Sequence, residues 1–76
     1  MSFLSVQSLR GQMQSCCPDA HCRIGFGDDE KVTLCWVYNG GWECHQITFQ
    51  LGQLSIANRV FQRKMHEAKR FFNGLE

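Results

Sequence analysis

Two runs rich in β-branched and aromatic residues, 31–38 and 42–49, flank the dipeptide Asn39-Gly40 near the middle of the chain. Alternating side chains of this kind are typical of β-strands, and Asn-Gly is the strongest short signal for a two-residue hairpin turn. The sequence therefore predicts an antiparallel hairpin, and the remaining elements have to pack against it.

The two-residue turn fixes the register of the hairpin and decides which side chains share a face. It places Val37 opposite Trp42 and Cys35 opposite Cys44. The more apolar face, which we predict to be the core face, carries Val32, Leu34, Trp36, Tyr38, Glu43, His45, Ile47 and Phe49. The other face carries Thr33, Cys35, Val37, Trp42, Cys44, Gln46 and Thr48.

Amphipathic segments lie on both sides of the hairpin. Residues 54–73 place an apolar side chain at every third or fourth position, which predicts a helix with one buried stripe. That stripe consists of Leu54, Ala57, Phe61, Met65, Ala68 and Phe72. A weaker stripe over 5–17 predicts a second helix, which Ser5 or Ser2 caps and Pro18 ends.

A further strand is predicted over 22–26, where apolar and polar positions alternate before a turn at 27–30. The order is then α-β-β-β-α, an α+β fold in which two helices pack on one face of a three-stranded antiparallel sheet. A single small domain over residues 1–76 is expected. Leu75 and Glu76 are treated as a candidate vector-derived remnant and given no structural weight.

This element order resembles that of double-stranded-RNA-binding domains, and the resemblance implies a nucleic-acid surface on the last helix. Those domains hold phosphates with a lysine-rich segment at the start of that helix. The corresponding stretch here, 53–58, contains no lysine, and the first basic residue, Arg59, follows it directly. The resemblance is one of topology alone.

Composition narrows the class of protein further. Hydrophobic residues make up 43% and charged residues 20% of the chain, which indicates a globular domain. The formal net charge of +1 shows no basic excess of the kind that nucleic-acid-binding proteins carry. The N-terminus lacks the pattern of a secretory signal, and the cysteine count is odd, so a reduced, cytoplasmic protein without a membrane partner is expected.

The five cysteines are predicted to be reduced thiols, most of them small core residues. The residues with ligand types suited to zinc are Cys16, Cys17, His21, Cys22, Cys35, Cys44 and His45. No Cys-x-x-Cys pair is present, so no metal site is predicted. In the two-residue-turn register, Cys35 and Cys44 lie within disulfide distance, and oxidation in vitro is expected.

No motif for catalysis is present. The sequence contains no P-loop, no Gly-x-Gly-x-x-Gly, no His-Glu-x-x-His and no Gly-x-Ser-x-Gly. Cysteine and histidine neighbours such as Cys44 and His45 point to opposite faces of a strand, so they do not form a nucleophile–base pair. We therefore expect neither an enzyme nor a cofactor.

Two candidate contact surfaces remain. On the last helix, four residues fall opposite the apolar stripe and offer donors to phosphates or to an acidic protein: Arg59, Arg63, His66 and Arg70. The alternative is an ordinary solvated helix face. On the sheet face without helices, the candidate partner-binding residues are Val37, Trp42, Thr33 and Gln46. The alternatives there are that another element covers the face or that the assumed register is wrong.

The expected function is that of a small protein–protein interaction module. A regulatory adaptor or inhibitor, of the kind that phages and mobile elements encode, fits a compact domain without a catalytic motif. The alternative function is nucleic-acid binding through the basic helix stripe, which steep weakening by salt would reveal. A homodimer through the open sheet face is a third hypothesis that is compatible with either.

Overall fold

The computed structural model describes residues 4–75 and shows the predicted α+β fold. Three antiparallel strands form one open sheet in the order β1-β2-β3. In chain order the elements are α1 (Val6–Cys16), β1 (His21–Phe26), β2 (Lys31–Tyr38), β3 (Glu43–Gln50) and α2 (Arg59–Asn73). Short 3₁₀ turns at Asn39–Gly41 and Leu51–Gln53 bracket β3.

The core lies between the two helices and the predicted core face of the sheet. Trp36, on the central strand β2, is 0% exposed, and its indole N–H donates to the carbonyl of Met13 in α1 at 2.8 Å. Because that hydrogen bond satisfies the indole, the ring can be fully buried. The buried set also includes Leu9, Val32, Leu34, Phe49, Phe61, Met65, Ala68 and Phe72.

The hairpin turn is longer than predicted. Asn39, Gly40 and Gly41 have φ angles of 55°, 67° and 93°, and strand pairing begins only with Tyr38 opposite Glu43. Four residues therefore connect β2 and β3 instead of two. Gly41 supplies a third left-handed residue at no steric cost, which allows the longer connection.

The longer turn shifts the register by two residues. Val37 lies opposite Cys44, and Cys35 lies opposite Gln46, so the predicted pairing of the two cysteines is wrong. Side chains alternate with a period of two, so a shift of two leaves each strand residue on its predicted face. Trp42 is the exception, since it lies in the connection and not on a strand.

Both helix starts are set by capping side chains. The hydroxyl of Ser5 accepts from the N–H of Ser8 and caps α1 as predicted, whereas Ser2 lies outside the described residues. The predicted start of the last helix at 54 is wrong. α2 begins at Arg59, because the side chain of Asn58 accepts from the N–H groups of the first turn.

Candidate functional site

The sheet face without helices is the first candidate surface. Its side chains come from alternate positions of all three strands and are exposed or half-buried: His21, Arg23, Thr33, Cys35, Val37, Cys44, Gln46 and Thr48. Three of the four residues predicted for partner binding, Thr33, Val37 and Gln46, lie here. The hydroxyls of Thr33 and Thr48 lie 3.3 Å apart across the strands.

Trp42, the fourth predicted residue, lies in the connection between β2 and β3, at the hairpin end of the sheet. Its side chain is 88% exposed. Its backbone N–H donates to the carbonyl of Asn39 at 3.3 Å, which fixes the base of the side chain in the turn. The strand pair next to this connection is Tyr38 with Glu43, and the first pair on the open face is Val37 with Cys44.

The outer side of α2 is the second candidate surface. All four predicted residues, Arg59, Arg63, His66 and Arg70, are exposed and share the face opposite the buried stripe. Lys64, also on α2, does not belong to this exposed stripe. Its ammonium group donates to the carbonyl of Thr48 at 2.6 Å and lies 5.1 Å from the ring centre of Phe49.

The two surfaces lie on opposite sides of the molecule. One is the outer side of the sheet layer and the other is the outer side of the helix layer, with the core between them. The open sheet face and the basic stripe of α2 are therefore separate contact surfaces. Each surface has to be tested by itself.

The cysteines divide between the core and the open face. Cys16 and Cys22 are buried, and burial raises the pKa of each thiol. Cys17 packs against the core, whereas Cys35 and Cys44 lie on the open face. In the part of the chain that the structure describes, no three His, Cys, Asp or Glu side chains are grouped to hold a metal ion.

An aromatic cluster that the sequence analysis missed covers the core side of β3. The ring of His45 stacks on Phe71 with centroids 4.2 Å apart and planes 14° from parallel, and Tyr38 meets Phe71 edge-on. Burial lowers the pKa of His45. Two sequence features could have indicated this cluster. Phe71 lies beside the apolar stripe of α2, and His45 lies on the predicted core face.

A pocket of about 280 Å³ opens at the start of α2. Ser55, Ala57, Asn58 and Arg59 line it, and the side-chain oxygen of Asn58 is already engaged in capping the helix. Its volume is just below the range of small-molecule sites, which is roughly 300–1,000 Å³. No acid–base or nucleophile–base pair lines it.

Comparison of the chain with protein-family models, with curated proteins and with solved structures finds no match. Neither helix within residues 4–75 has the length and apolar character needed to cross a membrane. The two surfaces are therefore the features from which a function can be inferred.

Proposed function

We propose that this protein is a protein–protein interaction module, a small regulatory adaptor or inhibitor, that docks through its open sheet face with Trp42 as the anchor. The observation that carries the proposal is the 88% exposure of Trp42 beside an uncovered sheet face. Tryptophan is enriched among the residues that dominate binding energy at interfaces. The five thiols are all free, which fits work in a reducing compartment such as the cytoplasm.

The layout around Trp42 suits a protein partner. Val37 and Cys44 form the apolar pair of the open face nearest the hairpin end, and Thr33, Gln46 and Thr48 continue that face with hydroxyl and amide groups. An apolar centre with a polar rim is the usual composition of a protein interface. Burying an indole removes roughly 150–250 Å² of surface from water, which is a large share of a small contact.

Binding is a better account of this surface than catalysis. The pocket at the start of α2 is lined by no acid–base or nucleophile–base pair, and the open face presents exposed and half-buried side chains from three strands. Proteins act on other proteins through flat, exposed surfaces of this kind without needing a cleft. We therefore assign a regulatory partner and no cofactor to the domain.

The test is to compare two variants in which an exposed apolar side chain is removed. Trp42→Ala removes the proposed anchor, and Ile56→Ala is the matched control because Ile56 is 60% exposed but lies before α2, away from the open face. The affinity for a protein captured from the encoding organism should fall roughly 30-fold or more for Trp42→Ala. Equal affinity of both variants would contradict the proposal.

A second function, nucleic-acid binding, is favoured by the exposed stripe of Arg59, Arg63, His66 and Arg70. Arginine and phosphate pair through charge-assisted hydrogen bonds. Binding to duplex DNA should then weaken with salt, with a log–log slope near −0.9 for each phosphate contacted. The double variant Arg59→Glu/Arg63→Glu should abolish binding to DNA. The control is Arg23→Glu/Lys31→Glu, which changes the net charge equally but on β1 and β2.

A further inference from the structure

The outer edge of β1 presents unpaired backbone groups. In an antiparallel ladder, opposed residues alternate between hydrogen-bonded and non-hydrogen-bonded pairs. The N–H of Gly27 donates to the carbonyl of Lys31 at 2.9 Å, which fixes the phase of the β1–β2 ladder. The N–H and C=O groups of Cys22, Ile24 and Phe26 therefore point away from β2.

Part of each sheet edge is already covered by a side chain. On β1, Arg10 donates to the carbonyl of Cys22 at 2.7 Å, which agrees with the phase of the ladder. On β3, Lys64 donates to the carbonyl of Thr48, and the N–H of Gln50 donates to the side chain of Gln53. The backbone groups of Ile24 and Phe26 that face outward make no hydrogen bond within residues 4–75.

The free part of β1 is also uncovered by side chains. Phe26 is 64% exposed although it lies on the core face of the sheet, and Ile24 is half-exposed. Arg10 shows that α1 lies beside the Cys22 end of the strand and leaves the Phe26 end open. On β3 the backbone groups left free are those of Cys44 and Gln46. They lie on the sheet edge beside which side chains of α2 pack.

We propose that a second copy of this chain pairs with β1 edge to edge, in an antiparallel arrangement with a twofold axis at Gly25. Ile24 of one copy then lies opposite Phe26 of the other, and these two pairs satisfy all four donors and acceptors left free in each copy. Gly25 lies opposite its equivalent, so no two side chains face each other across the axis. The exposed Phe26 ring packs beside Ile24 of the second copy, and the two sheets become one of six strands.

Charge complementarity supports the second copy as the occupant. In this register the chain that follows Phe26 passes Cys22 of the second copy. The residue that reaches it is Asp28, the first of the acidic turn that leads back to β2, and beside Cys22 lie Arg10 and Arg23. The opposite charges meet twice, once on each side of the axis, which favours this register over a parallel one. This pairing uses a different surface from the open face and does not depend on the proposed function.

The test is sedimentation velocity over roughly 1 μM to 1 mM, the range in which weak pairing becomes measurable. The wild-type chain should shift from 8.8 kDa to twice that mass as concentration rises. Phe26→Pro removes the outward N–H and the exposed ring but no hydrogen bond within β1–β2, since proline is tolerated on an edge. It should raise the dissociation constant about tenfold or more.

Two controls keep the result decisive. Cys44→Pro removes an outward N–H from β3 and should leave the dimer intact. If circular dichroism shows that Phe26→Pro does not fold, Arg23→Glu should weaken the dimer and Arg23→Glu with Asp28→Lys should restore it. A wild-type monomer throughout the range, a folded Phe26→Pro dimer, or a dimer lost only with Cys44→Pro or Trp42→Ala would overturn the proposal.

Discussion

At the scale of single residues, the two tryptophans have opposite roles. Trp36 is buried and hydrogen-bonded to Met13, whereas Trp42 is almost fully exposed in the hairpin turn. The first contributes to stability through packing and one buried hydrogen bond. The second is 88% exposed and makes little packing contact with the fold, and we propose it as the anchor for a partner.

Substitution of each tryptophan by phenylalanine tests this difference. Trp36→Phe should lower the free energy of unfolding by about 1–3 kcal/mol, because it loses part of a packed ring and the hydrogen bond to Met13. Trp42→Phe should change it by less than about 0.5 kcal/mol. Urea unfolding followed by circular dichroism measures both, and equal losses for the two variants would contradict the assignment.

His45 should make the stability depend on pH. Burial lowers the pKa of His45 below its ordinary value of 6.5, so the unfolded chain binds the proton more readily than the folded one. Stability is therefore greatest above pH 6.5 and falls as the pH drops below it towards the pKa of the folded state. His45→Phe, which keeps an aromatic ring beside Phe71, should show a smaller loss between about pH 6.5 and pH 5 in urea titrations. An unchanged pH profile would show that His45 is not responsible.

At the scale of elements, caps decide where the helices begin. Asn58 accepts from the N–H groups of Val60 and Phe61 at 2.9 and 3.2 Å. Asn58→Ala should therefore lower the free energy of unfolding by about 1 kcal/mol, whereas Asn58→Asp keeps the acceptor and should be close to neutral. Thermal unfolding of the three proteins measures this. Equal destabilisation by both substitutions would point to packing and not to capping.

The sequence predicted the faces of the strands, but neither the length of the hairpin turn nor the start of α2. The faces of β2 and β3 followed from the period of two, which a shift of two residues preserves, so Trp36 and Phe49 were placed correctly in the core. The turn length did not follow, because Asn39-Gly40 fits a two-residue turn and nothing local shows that Gly41 joins it. The start of α2 was missed because Leu54 has the spacing of the helical stripe and is buried, although it lies in a turn before the helix.

At the scale of the whole molecule, the layers separate the candidate surfaces. The sequence placed the basic stripe on one face of α2 and Thr33, Val37 and Gln46 on the open face, and the structure shows both sets accessible. It placed Trp42 on a strand, whereas the residue projects from the connection. The aromatic cluster of His45 and Phe71 depended on how α2 lies across the sheet, which no local pattern encodes.

Docking of a protein partner on the open sheet face is tested most directly by affinity capture from a lysate of the encoding organism, with half of the lysate treated with nuclease. The immobilised chain should retain a stoichiometric protein that resists nuclease and moderate salt and is lost from the Trp42→Ala chain but not from Arg59→Glu/Arg63→Glu. Recovery of nucleic acid alone, removed by nuclease or by reversal of the two arginine charges, would contradict docking through the open face and assign function to the outer side of α2.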